Sequence, residues 1–449
     1  MQLLDSTIIN TSLPQMALSF GVTAVDASIG ITIYLMSAAT FMPLSGWLAE
    51  RFGARNVFTA AIVVFTLSSL GCGISGSLAQ FALARAVQGV GGALMVPIGR
   101  LVVLGSAKKS ELLAAIALIT WPALAAPVIA PALGGFITSY FSWRWNFLLN
   151  VPLGTIGAML ASRFVPNSLA AAPPRMDWRG FALAALALTA LLYGLQSLAQ
   201  AHVEGWTSVA LISLGSALAI LAIRHFARAR HPLLQLSSVR VPTFSISSIS
   251  AGPAFRAAIS ATPFLLPLLF QLIFGLDAFA AGLLVLIYFA GNMGIKPLTT
   301  PILRRLGFRT VLVVNGILAG VAIMACALLT PTTPRALLVV ILLVAGITRS
   351  MQFTGLNSLS FADVSAEQRS SAATLSSVVE QVASVLGVAA GAIVLNLSQL
   401  ILTERNVSLR DFRLAFVLAG ASAIAAALCF RRLSADAGME VSGHGAGRR

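Results

Sequence analysis

Asp5, Arg85, Gln88 and Glu380 are the residues of this 449-residue chain whose types could move a proton or hold a charge, because each interrupts an apolar stretch. Arg85 and Gln88 are one helical turn apart, so both project to one side. An arginine in hydrocarbon is costly and is a functional hypothesis by default. The alternative is that it snorkels outward while neighbouring glycines only pack helices. Asp5 in an apolar site suits a proton carrier; otherwise it caps a helix at the interface. Glu380 is expected in a buried pair with Arg256 or Arg349, with a second proton site as the other reading. Arg256, Arg349, Gln271 and Asn292 are candidates for lining a substrate cavity.

Such chemistry needs a membrane scaffold. Apolar residues make up 58% of the chain and charged residues 10%, against roughly 45–50% and 25% in soluble domains. Apolar windows of about twenty residues, the span of a bilayer core, recur about fourteen times. Backbone groups in lipid must be satisfied within the segment, so these windows are expected to be helices and the class an all-α polytopic membrane protein. The net charge of +15 does not imply nucleic acid, because Lys and Arg collect in cytoplasmic loops. With the N-terminus inside, most of the 29 Lys and Arg fall in such loops. Only Arg144, Arg335, Arg405, Arg410 and Arg413 are then outside, so both termini are expected in the cytoplasm. Cys72, Cys326 and Cys429 sit in apolar spans without disulfide or metal spacing. The four His join no ligand cluster, and neither metal nor cofactor is expected.

The chain repeats itself. Arg51-Phe52-Gly53-Ala54-Arg55-Asn56-Val57 and Arg305-Leu306-Gly307-Phe308-Arg309-Thr310-Val311 share the pattern R-x-G-x-R-x-V at the polar end of a span. A duplicated helical bundle with a tight basic turn at matching positions is the usual build of secondary transporters. The expected organisation is a six-helix bundle over residues 1–165 and two additional helices with flanking cytoplasmic loops over 166–232. A second six-helix bundle covers 233–432, and 433–449 form a disordered cytoplasmic tail. The Pro/Ala-rich stretch 167–179 and the basic stretch 224–242 mark the joins. The first span is short, with Asp5 and Pro14 close to Met1. It has no charged leader region or cleavage signal, so it is not read as a signal peptide. The native start is expected upstream, inside a longer first helix.

Several motifs carry a resemblance. Gly46-Trp47-Leu48-Ala49-Glu50-Arg51-Phe52-Gly53-Ala54-Arg55 resembles the signature G-x-L-A-D-R-x-G-x-[RK] of the major facilitator superfamily, with Glu50 in the Asp position. There the loop latches the outward-facing state, which implies a cytoplasmic gate built from Gly46, Glu50, Arg51, Gly53 and Arg55, echoed by Arg305, Gly307 and Arg309. Glu50, Arg51 and Arg55 are expected to form a charge network. Arg85-Ala86-Val87-Gln88-Gly89-Val90-Gly91 is similar to the superfamily's R-x-x-Q-G-x-G motif, tied there to proton coupling. Ala126-Pro127-Val128-Ile129-Ala130-Pro131-Ala132-Leu133-Gly134-Gly135 resembles the antiporter motif G-P-x-x-G-P-x-x-G-G, with Ala126 and Ala130 in place of Gly. Pro127, Pro131, Gly134 and Gly135 would shape its kink; the alternative is an ordinary Pro/Gly-kinked membrane helix. Leu4-Asp5-Ser6-Thr7-Ile8-Ile9-Asn10-Thr11-Ser12-Leu13-Pro14 is similar to the L-D-x-T-I-V-N-x-x-L-P signature of the fourteen-span drug:proton antiporter subfamily. Trp143 to Gly154 is close to that subfamily's W-R-W-I-F-x-I-N-x-P-x-G, with Asn146 replacing an apolar residue.

The resemblance implies a major facilitator fold in a bacterial-type inner membrane, exporting small amphipathic compounds in exchange for protons by alternating access. Asp5, Arg85, Gln88 and Glu380 are the proton-coupling candidates. A proton reaching Asp5 from outside would relieve its pairing with a cation such as Arg85 and favour one facing state. The span charges qualify the substrate. Arg85, Arg100, Arg256, Lys296 and Arg349 outnumber Asp5 and Glu380, which favours an organic anion over cationic dyes unless Arg100 and Lys296 snorkel to the inner interface. Uptake is the other direction to weigh. No nucleophile–base pair, phosphate-binding loop or soluble domain points to an enzyme or sensor. The expected partners are a small-molecule substrate, protons and the bilayer; nothing indicates a periplasmic adaptor.

Overall fold

The computed structural model describes residues 1–106, 112–166, 176–197, 205–229, 232–365, 368–402 and 407–439. The stretch 167–175, Arg405 and the tail beyond residue 439 lie outside the described residues, as does the Arg100 side chain. Helices make up the described chain, which carries no strand. Eleven of them are long and apolar enough to cross a membrane, and Ala125–Tyr140 and Ala278–Gly294 are shorter apolar helices. The N-terminal segment does not reach span length as one helix. Pro14 sits in the first turn of a new helix there, where its missing N–H and fixed φ are tolerated but cannot continue the helix before it.

The chain forms two compact units. The first contains Met1–Leu234 and Asp277–Gly282. Its helices are α1 (Gln2–Ile8), α2 (Leu13–Phe20), α3 (Ala24–Ala27), α4 (Ile29–Phe41), α5 (Leu44–Phe52), α6 (Ala54–Ile74), α7 (Leu78–Ser106), α8 (Leu112–Tyr140), α9 (Trp145–Leu148), α10 (Asn150–Phe164), α11 (Trp178–Ser197) and α12 (Gly205–Arg228). Glycines on one stretch of α7 set its depth of packing. A Cβ on Gly89 would stand 2.5 Å from the Tyr34 carbonyl of α4, and one on Gly91 would stand 2.8 Å from the Phe65 nitrogen of α6. Small residues permit such close backbone approach where lipid offers no hydrophobic drive. α11 pairs with α12 and itself docks on α4 and α5, with ring contacts Phe41–Phe181 at 5.7 Å and Trp47–Trp178 at 6.0 Å.

The second unit contains Gln235–Leu276 and Leu283–Arg449. Its helices are α13 (Pro242–Phe244), α14 (Ala251–Ser260), α15 (Thr262–Leu268), most of α16 (Ala278–Gly294), α17 (Lys296–Ala325), α18 (Arg335–Ser360), α19 (Arg369–Leu402) and α20 (Leu409–Cys429). Gly346 of α18 plays the part of Gly89, since a Cβ there would meet the Tyr288 carbonyl of α16 at 1.9 Å. α17 breaks at Gly307, whose φ 72°, ψ 160° is not helical. Gly53, between α5 and α6, has φ 86°, ψ 138°. Both lie in positive-φ territory that side chains with a Cβ rarely enter, so the repeated R-x-G-x-R segment makes the same turn twice.

Candidate functional site

The close packing of α7 brings its polar residues against α1, α4 and α6. Asp5, Arg85, Gln88 and Asn150 are each completely buried. Arg85 Nη1 pairs with Asp5 Oδ2 at 2.5 Å and donates to Gln88 Oε1 at 2.5 Å, while its Nε donates to the Gly30 carbonyl at 3.0 Å. Gln88 Nε2 donates to Asp5 Oδ1 at 3.1 Å and to Ser69 Oγ at 2.7 Å. Asn150 Nδ2 completes the shell of the carboxylate at 3.2 Å. The Tyr34 ring lies 4.3 Å from the guanidinium carbon, a cation–π distance. Asp5 is therefore no interfacial cap, and Arg85 does not snorkel. A carboxylate and a guanidinium removed from water in this way stabilise each other only as a pair, so changing the charge of either unbalances the other.

Asn150, Ser69, Tyr34 and the Gly30 carbonyl belong to this centre without having been singled out by type and spacing. Tyr34 had a usable signal: Tyr288 follows it at the same chain separation as Arg305 follows Arg51. The same helix pair carries Arg349 and Gln352, which repeat the R-x-x-Q spacing of Arg85 and Gln88.

The second unit assembles a different cluster there. Arg349 lies 5.8 Å from the Tyr288 ring, 5.5 Å from Phe289 and 5.0 Å from Phe353. Its buried Nε has no hydrogen-bond partner among the described residues. Arg256 is the partner of Glu380; it also donates to Asn357 Oδ1 at 2.5 Å and stacks 4.8 Å from Phe353. The choice follows from packing: α14, which carries Arg256, lies against α19, which carries Glu380, whereas Arg349 is enclosed by rings. The expectation of a buried acid is corrected, because the Glu380 side chain is 38% exposed. Lys296 does not snorkel; its Nζ turns back to donate to Thr354 Oγ1 of α18 at 2.7 Å. Asn292 sits on α16 one turn beyond Tyr288 and is half-buried. Gln271 is turned onto its own helix, donating to the Pro267 carbonyl at 3.3 Å.

At the basic turns, Glu50, Arg51, Arg305 and Arg309 are exposed. The expected network of Glu50, Arg51 and Arg55 is not formed: none of the three is in an ion pair among the described residues. Arg55 instead donates from Nε to the carbonyl of Val165, the residue that caps α10. A helix C-terminus offers unpaired carbonyls and partial negative charge to a cation. Gly46 faces open space. α8 runs through Pro127 and Pro131 as one helix. Gly134 and Gly135 are points of close approach, where a Cβ would meet Ile8 Cγ1 at 2.4 Å and the Ala278 carbonyl at 2.1 Å.

Outside the spans, Asp177 ties the start of α11 to the end of α12. It accepts from Gly180 N at 2.9 Å and Leu233 N at 3.2 Å, and its Oδ1 lies 2.8 Å from His225 Nε2. Burial alone would raise the carboxyl, but these hydrogen bonds outweigh it and hold it below its usual range.

Comparison with known proteins agrees with this architecture. The family described as Major Facilitator Superfamily matches residues 1–388, and matches again over 254–446. "Putative multidrug resistance protein MdtD" of Salmonella paratyphi A is 37% identical over 391 residues, 86% of this chain and 82% of that protein. The protein of the same name in Salmonella typhimurium gives the same figures. Among solved structures, an auto-inhibited POT family peptide transporter aligns with TM-score 0.69 at 15% identity, covering 96% of this chain and 95% of its own. A D-xylose–proton symporter aligns with TM-score 0.68 at 15% identity, covering 97% and 96%. The partially occluded, inward-open xylose transporter XylE from E. coli gives 0.63 at 13%, covering 95% and 94%. The structural likeness is one of fold.

Proposed function

This chain belongs to the major facilitator superfamily, and from that premise we propose that it is a proton-coupled exporter of small amphipathic compounds. The observation that carries the proposal is the Asp5–Arg85 ion pair, fully buried and closed by Gln88 and Asn150. A proton arriving at Asp5 neutralises the carboxylate and removes the counter-charge of Arg85. Among the described residues that guanidinium keeps Gln88, the Gly30 carbonyl and the Tyr34 and Phe147 rings as partners. The two protonation states thus differ in how strongly α1 is held to α7, and a protein with two facing states shifts toward the one that suits each. Loss of the proton on the other side restores the pair. Export, rather than uptake, is supported by the multidrug-resistance name of the relatives and by Pro127, Pro131, Gly134 and Gly135 in the antiporter-like segment. The turns at Gly53 and Gly307 are read as a gate facing the cytoplasm, with both termini on that side, because Lys and Arg concentrate in those loops.

The experiment is transport by purified protein in liposomes holding a pH-sensitive dye. Lipophilic cations, neutral drugs and organic acids are added in turn, with Asp5→Asn beside the wild type. A substrate-triggered pH change that the variant loses supports the antiporter. Substrate movement that is equal in both proteins and leaves the pH unchanged rejects it.

A further inference from the structure

The cluster in the second unit has a charge imbalance that its own side chains do not resolve. Arg256 and Arg349 both lie against the Phe353 ring, and Lys296 is held at the next residue of that helix, Thr354, so three cations gather along one stretch of α18. Glu380 is the carboxylate beside them and is taken by Arg256. Neither Arg349 nor Lys296 is in an ion pair among the described residues. An unneutralised cation at membrane depth is expensive, and such residues pair with one another, with carbonyls or with a ligand. Two positive charges are left over.

Their placement is ordered. Arg349, Phe353 and Asn357 recur at one-turn intervals on α18, so they share a face. Phe353 lies under both guanidinium groups, 4.8 Å from Arg256 and 5.0 Å from Arg349. The rings of Tyr288, Phe289 and Phe353 hold the Arg349 guanidinium, and its Nε is left without a partner. Nε and a neighbouring terminal nitrogen form the fork that meets a carboxylate in two parallel hydrogen bonds. Lys296 is held at Thr354, about 7.5 Å of helix rise beyond Arg349. Tyr288 and Asn292 lie one turn apart on α16, and Lys296 opens α17 just beyond them.

We propose that this cluster is an organic-anion site, in which Arg349 and Lys296 receive the two carboxylates of a small dicarboxylate. The Arg256–Glu380 pair is the fixed wall beside it. The proposal rests on the transporter reading and names its substrate class: a dianion makes the cluster neutral, whereas a lipophilic cation adds to the repulsion. Arg349 is then the residue that orients the ligand through its planar fork, and Lys296 supplies a second, point-like charge.

The test is ligand-induced thermal stabilisation of the full-length protein in detergent, where no proton gradient exists. Succinate and phthalate are the dicarboxylate probes, with benzoate, sodium chloride and tetraphenylphosphonium as comparisons. Expected is stabilisation by at least one dicarboxylate at concentrations where benzoate and chloride do little. Arg349→Ala should weaken that binding about tenfold or more, the loss of a charge-assisted pair. Arg349→Lys should recover part of it, and Lys296→Met should bring dicarboxylate and monocarboxylate affinities together. A variant whose unliganded melting and size-exclusion profiles differ from wild type is replaced by Arg349→Gln, which keeps most of the side-chain volume. The proposal is overturned by dicarboxylate stabilisation that survives Arg349→Ala, by equal stabilisation from chloride alone, or by stabilisation from tetraphenylphosphonium and from none of the anions. Dicarboxylate binding that depends on Arg349, without proton movement in liposomes, would leave this site standing and reject the antiporter instead.

Discussion

The two units hold an R-x-x-Q helix against a tyrosine in the same way and reach opposite electrostatic results. In the first, Arg85 meets Asp5 and both are sealed from solvent. In the second, the helix α14 contributes a cation, Arg256, and Arg349 is left among aromatic rings, with no carboxylate partner among the described residues. The scaffold is common: Gly89 beside the Tyr34 carbonyl, Gly346 beside the Tyr288 carbonyl, and positive-φ turns at Gly53 and Gly307. Duplication therefore preserved how the helices approach, while the charge placed between them was free to diverge. A neutral sealed pair suits a group that gains and loses a proton; a cluster with unneutralised positive charge suits an anion.

The sharpest way to break this comparison is to remove one carboxylate from each unit. Asp5→Asn strands a fully buried arginine, and a loss of about 3–5 kcal/mol of stability is expected. Thermal unfolding in detergent reads it, and adding Arg85→Gln should recover a substantial part. If Asp5→Asn unfolds like wild type, the first centre is not the closed pair described. Next in size are the turns. Gly53→Ala and Gly307→Ala each force a Cβ into positive φ, at an expected cost on the order of 1–3 kcal/mol. The two should be similar, and a large inequality would mean that the repeat is structural in one unit only. Glu380→Gln should cost less, on the order of 1 kcal/mol, because its exposed carboxylate keeps water on one side. A loss as large as that of Asp5→Asn would erase the contrast between the units.

The smallest effect lies outside the spans. The Asp177 carboxyl is held below its usual range, so its hydrogen bonds stabilise the junction of α11 and α12 above the unfolded carboxyl's range. That contribution fades as pH falls below about 4. Asp177→Asn should therefore melt slightly below wild type at pH 7, and the gap should narrow on acidification. A gap that widens toward low pH would contradict the arrangement.

Much of the fold was readable because a bilayer restricts the options. Spans follow from apolar length, helices from the need to satisfy backbone groups, and the matched turns from R-x-G-x-R-x-V, whose glycine marks a conformation that few other residues adopt. The proton-coupling candidates Asp5, Arg85 and Gln88 were legible because polar side chains in apolar windows are conspicuous. Asn150 was not, since a lone Asn in a span has no spacing signal; it matters only because α10 lies beside Asp5. The Glu50–Arg51–Arg55 network was misread for the same reason. Sequence neighbours suggested a pairing, and the end of α10 offered Arg55 a carbonyl instead.

By itself, then, the sequence determined the membrane class, the helices, the repeated turn and the unusual charges. All of these are local properties of composition and spacing, read within one helix or one loop. Which opposite charge each arginine meets was decided by the tertiary structure alone. Arg256 rather than Arg349 pairs with Glu380, and Asp5 reaches Arg85 from a distant stretch of chain. Pairing at membrane depth depends on which helix faces lie a few ångströms apart, and close glycine contacts set that distance between segments that are remote in sequence.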